Sequence, residues 1–235
     1  MMKLSIIIPV YNEEDTLREL IEGVEKVILN GIQKEIIIVD DKSCDSTKLI
    51  IEKELGKDIV KVYHSLNEGK GTAIRTALKH VSGDMILIQD GDLEYNPEDY
   101  TKLIKPILED NIDVVYGSRF KNGNTHLNLF YYLANRFLTA LTNLCYGSML
   151  TDMETCYKLF RKEVLFSLNL ESKGFEFEPE VTAKILRRGY RIQEVPIDYY
   201  ARSRSRGKKI QFKDGLKAIY VLFKYTIGHK NSIKR

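Results

Sequence analysis

The stretch Gly83-Asp84-Met85-Ile86-Leu87-Ile88-Gln89-Asp90-Gly91-Asp92-Leu93-Glu94 governs how this chain is read. Met85 to Ile88 is an apolar run of strand length, and three acids follow it at alternate positions. Side chains alternate across a strand with period two. If that spacing persists past the strand end, Asp90, Asp92 and Glu94 share a side and can converge on one point. Gly91 lets the backbone bend and approach a ligand closely. Clustered carboxylates repel unless a cation sits among them, and hard oxygen ligands suit Mg²⁺ or Mn²⁺. The competing reading is an Asp-Gly turn that closes a β-hairpin.

The flanking sequence bears on that choice. Leu4 to Ile8 is a short apolar run that stops at Pro9, and Asn12 is expected to cap a helix whose buried stripe is Leu17, Leu20, Ile21, Val24 and Ile28. Glu35 to Val39 repeats the pattern and ends in Asp40-Asp41, after which Asp45-Ser46-Thr47 opens a helix to about Leu55. Ile59 to Tyr63 predicts a weaker strand, and Gly69-Lys70-Gly71 leads into a helix from Thr72 to Val81. Asn96-Pro97 starts the next helix as cap and first residue. Asp113 to Tyr116 is a fifth strand, closing at Gly117-Ser118-Arg119. Alternating βα units with apolar strands predict a doubly wound, mostly parallel α/β sheet. In such sheets ligands sit beyond the carboxyl ends of the strands, where these polar residues fall, and this favours the metal reading.

Beyond residue 120 the rhythm changes. Leu127 to Tyr146 holds one charge, Arg136, and reads either as a buried core helix or as a membrane-interface helix carrying Phe130, Tyr131, Tyr132, Phe137 and Tyr146. Thr151-Asp152-Met153-Glu154-Thr155 is a polar loop, followed by the apolar Tyr157 to Phe160. A helix is expected over Pro179 to Arg188 and a strand over Tyr190 to Ile197. Phe212 to Ile227 is amphipathic, with Leu216, Ile219, Tyr220 and Phe223 on one side and Lys213, Lys217 and Lys224 mostly on the other.

Composition narrows the functional classes. The net charge of +3 combines +10 over residues 201–235 with −7 over the first 200, so a basic segment follows an acidic body. That asymmetry suggests an anionic partner: phosphate, anionic lipid or nucleic acid. Nucleic acid is the weakest, because the basic stretch before Phe212 lacks interleaved aromatics on which bases stack. Three scattered cysteines and four scattered histidines form neither a zinc pattern nor a disulfide framework, which points to a reducing compartment. No signal-like segment opens the chain, and no run of about 18 apolar residues offers a membrane span. A G-x-G-x-x-G after the first strand is missing, and Lys70 is followed by Gly71 rather than Ser or Thr, so neither a Rossmann dinucleotide site nor a Walker ATPase is supported.

Six motifs then stand in order: Pro9-Val10-Tyr11-Asn12-Glu13, Val39-Asp40-Asp41-Lys42-Ser43, Asn67-Glu68-Gly69-Lys70-Gly71, Asp90-Gly91-Asp92-Leu93, Gly117-Ser118-Arg119 and Asp152-Met153-Glu154-Thr155. The series resembles family 2 glycosyltransferases of the GT-A fold, and within them the dolichol-phosphate mannose synthases and other polyprenol-phosphate enzymes. The likeness implies one glycosyltransferase domain over 1–228, with a nucleotide-sugar-binding half over 1–120 and an acceptor half over 121–211. An amphipathic basic helix and tail fill 212–235. It implies a nucleotide-sugar donor, GDP-mannose or else UDP-glucose, with Pro9, Tyr11, Glu13 and Asp40 around base and ribose and Asp41 and Lys70 close by. Asp90 then lies beside the diphosphate and Asp92 ligates the metal, while Glu94 stands where those synthases have Gln. Arg119 and Arg136 fall near positions facing the lipid phosphate and diphosphate. Arg202 and Lys209 match the family's basic loop, in which Lys208 replaces a small residue.

The expected reaction is a single in-line displacement at the anomeric carbon, with inversion, onto a polyprenyl phosphate at the cytosolic membrane face. A phosphate acceptor needs no strong base, because it is already mostly dianionic at neutral pH. A sugar-hydroxyl acceptor needs one, and Asp152 or Glu154 is then the candidate.

Overall fold

The computed structural model describes residues 1–121, 128–202 and 212–227. Seven strands form one sheet: β1 (Met2–Val10), β2 (Ile32–Asp40), β3 (Val60–Tyr63), β4 (Met85–Ile88), β5 (Val114–Ser118), β6 (Lys158–Arg161) and β7 (Ile192–Pro196). Their order across the sheet is β3-β2-β1-β4-β6-β5-β7. Isoleucine, valine and leucine dominate β1, β2 and β4, and their central residues are buried, as expected of strands covered on both faces. Helices α1 (Leu17–Lys26), α2 (Thr47–Lys53), α3 (Lys70–Leu78) and α4 (Tyr100–Glu109) make the crossovers of the first half. A single 3₁₀ turn, Pro97–Asp99, precedes α4, and the Asn96 side chain accepts from Glu98 N at 3.1 Å, the cap expected there.

One expectation changes. Asn12 does not cap α1. It adopts φ 51°, and its side chain accepts from Cys44 N at 2.8 Å while Thr16 stands at the helix start. Asn12 thus ties the loop after β1 to the loop after β2. The sheet is mostly parallel, as expected. β6 lies between β4 and β5 and runs antiparallel to both. Tyr157 to Phe160 carries only apolar and one basic residue, and nothing in its composition gives strand direction. Reversal has a consequence for function. The loop entering β6, residues 151–157, comes to the same edge of the sheet as the carboxyl ends of the parallel strands.

The second half adds α5 (Leu129–Tyr146), α6 (Lys162–Ser167), α7 (Phe177–Arg187) and α8 (Phe212–Ile227). Only Leu138, Thr139 and Thr142 of α5 are buried, whereas Leu129, Phe130, Leu133, Phe137 and Leu144 are exposed. The buried-core reading of this helix therefore gives way to a surface helix with an apolar outer face. On α8 the buried residues are Ala218, Val221 and Leu222, while Leu216, Tyr220 and Phe223 of the expected apolar stripe are exposed. α5 and α8 share a small core of their own, Leu138, Leu150, Met153, Ala218 and Leu222, separate from the main core around the sheet.

The start of α3 is fixed by close backbone packing. Gly69 has φ 94°, and a Cβ there would lie 2.5 Å from the carbonyl oxygen of Lys173. Thr72 N donates to that same oxygen at 3.0 Å. The 171–174 segment is held in turn by Glu180, which accepts from Glu171 N and Ser172 N at 2.8 and 2.7 Å. Gly69→Ala is expected to cost about 2 kcal/mol through φ strain and the clash. That lowers Tm by roughly 4–8 °C for a chain of this size; an unchanged melting curve in differential scanning calorimetry would show that the segment yields.

Candidate active site

Sheet geometry collects the ends of β1, β2, β4 and β5 and the start of β6 at one edge, where a cavity of about 870 Å³ opens. Gly91 explains how the loop after β4 reaches it. A Cβ at that position would meet Val10 Cγ1 at 2.9 Å and Glu13 Cγ at 3.3 Å, so only glycine lets this loop pack against the end of β1. Gln89, fully buried, anchors the same loop: its Oε1 accepts from Tyr100 and Tyr157 hydroxyls at 2.8 and 2.7 Å.

The acids of Asp90-Gly91-Asp92-Leu93-Glu94 diverge to three partners. Asp90 Oδ1 lies 2.7 Å from Lys70 Nζ, which also contacts Glu178 Oε1 at 2.8 Å. Asp92 Oδ2 accepts from Arg202 Nη2 at 2.7 Å, and the same guanidinium bridges to Glu13 at 2.8 and 3.2 Å. Glu94 accepts from the Tyr199 hydroxyl and from Arg202 N, each at 2.6 Å. Among the described residues no three acids, histidines or cysteines are arranged to hold a metal ion together.

Electrostatics separates the three. Burial opposes charge on Lys70, but Asp90 and Glu178 outweigh it and hold the ammonium well above its ordinary pKa. Burial likewise works against the Asp90 carboxylate, and Lys70 overcomes it, so Asp90 stays below its usual value. Asp92 behaves oppositely. Burial, then the neighbouring Asp90 and Glu94 charges, push it up to about 7 despite Arg202. Of Asp90 and Asp92, it is Asp92 whose charge the surroundings disfavour.

On the other side of the cavity Arg119 and Asp152 form a buried bidentate pair, Nε–Oδ2 and Nη2–Oδ1 both at 2.7 Å. Both Asp152 oxygens are thereby engaged, and Asp152 N is held by Glu194 Oε1 at 2.9 Å. Arg119 lines the cavity and lies 5.1 Å from the Tyr199 ring centroid. Glu154 also lines the cavity, and burial followed by the Glu178 charge raises it to about 7.

Of the residues expected from sequence, the cavity gathers Pro9, Tyr11, Glu13, Asp41, Lys70, Asp90, Asp92, Glu94, Arg119, Glu154 and Arg202. Asp40, Arg136 and Asp152 stand outside its lining. Asp40 accepts from Ser43 N at 3.2 Å, and Arg136 donates to Thr151 O at 3.2 Å from the surface of α5. Asp41 lines the wall but is engaged by its own loop: Glu68 N, Gly69 N and the His64 ring lie 2.9, 2.7 and 2.7 Å from its oxygens. Lys209 lies outside the described residues. Sequence reading missed Glu178 and Tyr199, which hold Lys70 and Glu94. The one signal for Glu178 was its place at the start of a helix, beside Pro179.

Comparison with known proteins places the chain in a family. Residues 5–167 match the family model for glycosyl transferase family 2. The chain is 32% identical over 235 residues to a dolichol-phosphate mannosyltransferase of Pyrococcus furiosus, a match that takes in 95% of this chain and 64% of that protein. It is 31% identical to the UDP-N-acetylglucosamine–dolichyl-phosphate N-acetylglucosaminyltransferase of Methanococcus voltae, over 95% of this chain and 96% of that one. Among solved structures, glucosyl-3-phosphoglycerate synthase of Mycobacterium tuberculosis with Mn²⁺, UDP-glucose and phosphoglyceric acid superposes with a TM-score of 0.75 at 20% identity, covering 96% of this chain and 80% of that one. The fold is thus the GT-A fold, and the chain belongs to glycosyl transferase family 2.

Proposed function

We propose that this glycosyltransferase moves a hexose from a nucleotide sugar to a polyprenyl phosphate, with inversion at the anomeric carbon. One observation carries the acceptor choice. The strand-end acids and Arg119 share a single cavity with an apolar wall from α5 and α8, including Phe137, Leu138, Leu216 and Ile219. A phosphate on a hydrocarbon chain matches both halves, whereas a soluble sugar matches only the polar one. The dolichyl-phosphate enzymes among the relatives support the same acceptor.

The donor reading rests on the polar half. Pro9, Tyr11, Glu13 and Asp41 at the β1 and β2 ends would flank the nucleoside, and Lys70 would meet the diphosphate. Mannose from GDP-mannose is the favoured transfer and glucose from UDP-glucose the next. Among the described residues, carboxylates outnumber cations eight to three along the cavity lining. An anionic donor entering such a wall needs added positive charge, and the raised Asp92 carboxyl is the group such charge would relieve. Asp92, with Asp90 and Glu94 beside it, would hold Mg²⁺ or Mn²⁺ once these carboxylates give up Arg202, Lys70 and Tyr199. Such a cation, when bound, stabilises the charge of a diphosphate leaving group. Arg119, oriented by Asp152, would bind the acceptor phosphate, and no proton need be removed from a dianion.

A surface role at the membrane follows from the helices. Exposed Leu129, Phe130, Leu133 and Phe137 on α5 stand with exposed Leu216, Tyr220 and Phe223 on α8, and Lys213 and Lys217 are exposed beside them. Apolar residues flanked by lysines suit the headgroup boundary of an anionic leaflet. No helix among the described residues is long and apolar enough to cross a membrane. A soluble hydroxyl acceptor is the second reading, favoured by Glu154, whose elevated pKa suits a general base.

Purified protein with Mn²⁺ is expected to transfer labelled hexose into solvent-extractable polyprenyl phosphate; label confined to water-soluble glycan would favour the second reading. Phe137→Ser should raise KM for long-chain polyprenyl phosphate by about tenfold through lost apolar contact while leaving donor affinity unchanged. Asp92→Asn should abolish turnover, yet stabilise the chelator-treated protein. A native carboxyl held near pH 7 against about 4 when unfolded weakens the fold progressively as pH rises between those values. The gain should be absent near pH 4 and reach about 1–3 kcal/mol above pH 7 in urea melts. A variant no more stable at pH 8 than the parent would contradict the electrostatic account.

A further inference from the structure

Glu154 differs from the other acids of the cavity. Glu13 and Asp92 are held by Arg202, Asp90 and Glu178 by Lys70, and Glu94 by Tyr199. Among the described residues no hydrogen bond or ion pair reaches either oxygen of Glu154, and Oε1 is buried without a partner. A shielded carboxylate without a donor costs free energy, and native structures retain such groups where a ligand completes them. Its cavity says which ligand. Glu154 lines the same cavity as Lys70, Asp90 and Arg119, the space in which, on the donor reading, donor and acceptor would meet.

We propose that Glu154 is the sugar-recognition residue of this site, accepting a hydrogen bond from a hydroxyl of the hexose carried by the donor. The inference rests on the donor reading given above. Three features of the chain support it. Arg119, Lys70 and Arg202 are each already paired with a carboxylate, so none of them satisfies Glu154. Glu154 lies on the loop entering β6, whose backbone is fixed by Glu194 holding Thr151 N and Asp152 N and by Tyr95 holding Cys156 N at 2.9 Å. A carboxylate on so rigid a loop reads the position of a hydroxyl rather than following it. Burial and Glu178 also disfavour its charge, and a donated hydroxyl proton relieves that. A site built to bond a hydroxyl discriminates strongly against a sugar lacking it, because the carboxylate is then left unpaired.

Calorimetric titration with Mn²⁺ present tests this on Glu154→Ala and Glu154→Gln, using GDP, UDP and their hexose conjugates. Glu154→Ala is expected to weaken nucleotide-sugar binding roughly ten- to hundredfold and leave the nucleoside diphosphate within about twofold, with Glu154→Gln intermediate because its carbonyl still accepts. A series of monodeoxy-hexose conjugates should contain one that the parent binds less well than the full sugar and that Glu154→Ala does not distinguish from it. Equal losses for nucleotide and nucleotide sugar would assign Glu154 a structural role and overturn the inference. Unchanged sugar binding with a collapsed kcat would make it a base and overturn it too. Failure of the parent to bind any nucleoside diphosphate would overturn the donor reading and this inference with it, so the two fail separately.

Discussion

Everything at this site depends on an unbalanced charge. Among the described residues, the cavity at the carboxyl edge of the sheet is lined by more acids than cations. The available cations are shared: Lys70 spans Asp90 and Glu178, and Arg202 spans Glu13 and Asp92. Sharing leaves Asp92 at about 7 and Glu154 with no partner among the described residues. A fold selected for stability alone would not keep these carboxylates, since replacing buried charges by apolar groups is often neutral or favourable. Their retention makes sense when ligands bring what is missing, a cation at one and a hydroxyl proton at the other.

Strand direction decides which residues can take part. Because β6 runs against its neighbours, the loop before it, with Asp152 and Glu154, arrives beside the loops that follow β1, β4 and β5. Were β6 parallel, those residues would emerge at the opposite edge. The reversed strand has a cost, seen in Lys158. It is fully buried, and its ammonium donates to the Met153 and Thr155 carbonyls and lies 4.6 Å from the Tyr116 ring centroid. Burial pulls its pKa below the ordinary value, with the Glu178 and Glu154 charges opposing. Lys158 thus helps hold the loop that carries Glu154.

The first half of the fold could be read from the chain because each strand is a continuous apolar run ended by a polar residue. β4 and β5 follow that rule closely, and Asn96-Pro97 caps as its chemistry dictates. Asn12 misled because a polar side chain after a strand can bond the next loop instead of the next helix. The direction of β6, antiparallel between β4 and β5, left no mark, because a short apolar run reads the same in either direction. Most of the expected site residues reach the cavity because strand ends are local features of sequence. Glu178 and Tyr199 were missed because their partners lie far along the chain, and spacing reveals nothing about such pairs.

The α5–α8 roof would ease a conflict between the two proposed substrates. A donor transition state gains from exclusion of water, because electrostatic contacts strengthen in a drier cavity. On the proposed acceptor, a lipid phosphate would have to enter from a membrane, which a roof sealed by the main core would prevent. The two helices instead pack on each other through the small cluster of Leu138, Leu150, Met153, Ala218 and Leu222, an arrangement that would suit both needs. Tyr146 secures them, donating to Leu222 O at 2.6 Å. Their outer apolar residues remain uncovered, at a cost in water that a bilayer surface would remove. The same contact that brings the acceptor would then also cover the roof, so that the cavity is driest when the lipid is in place.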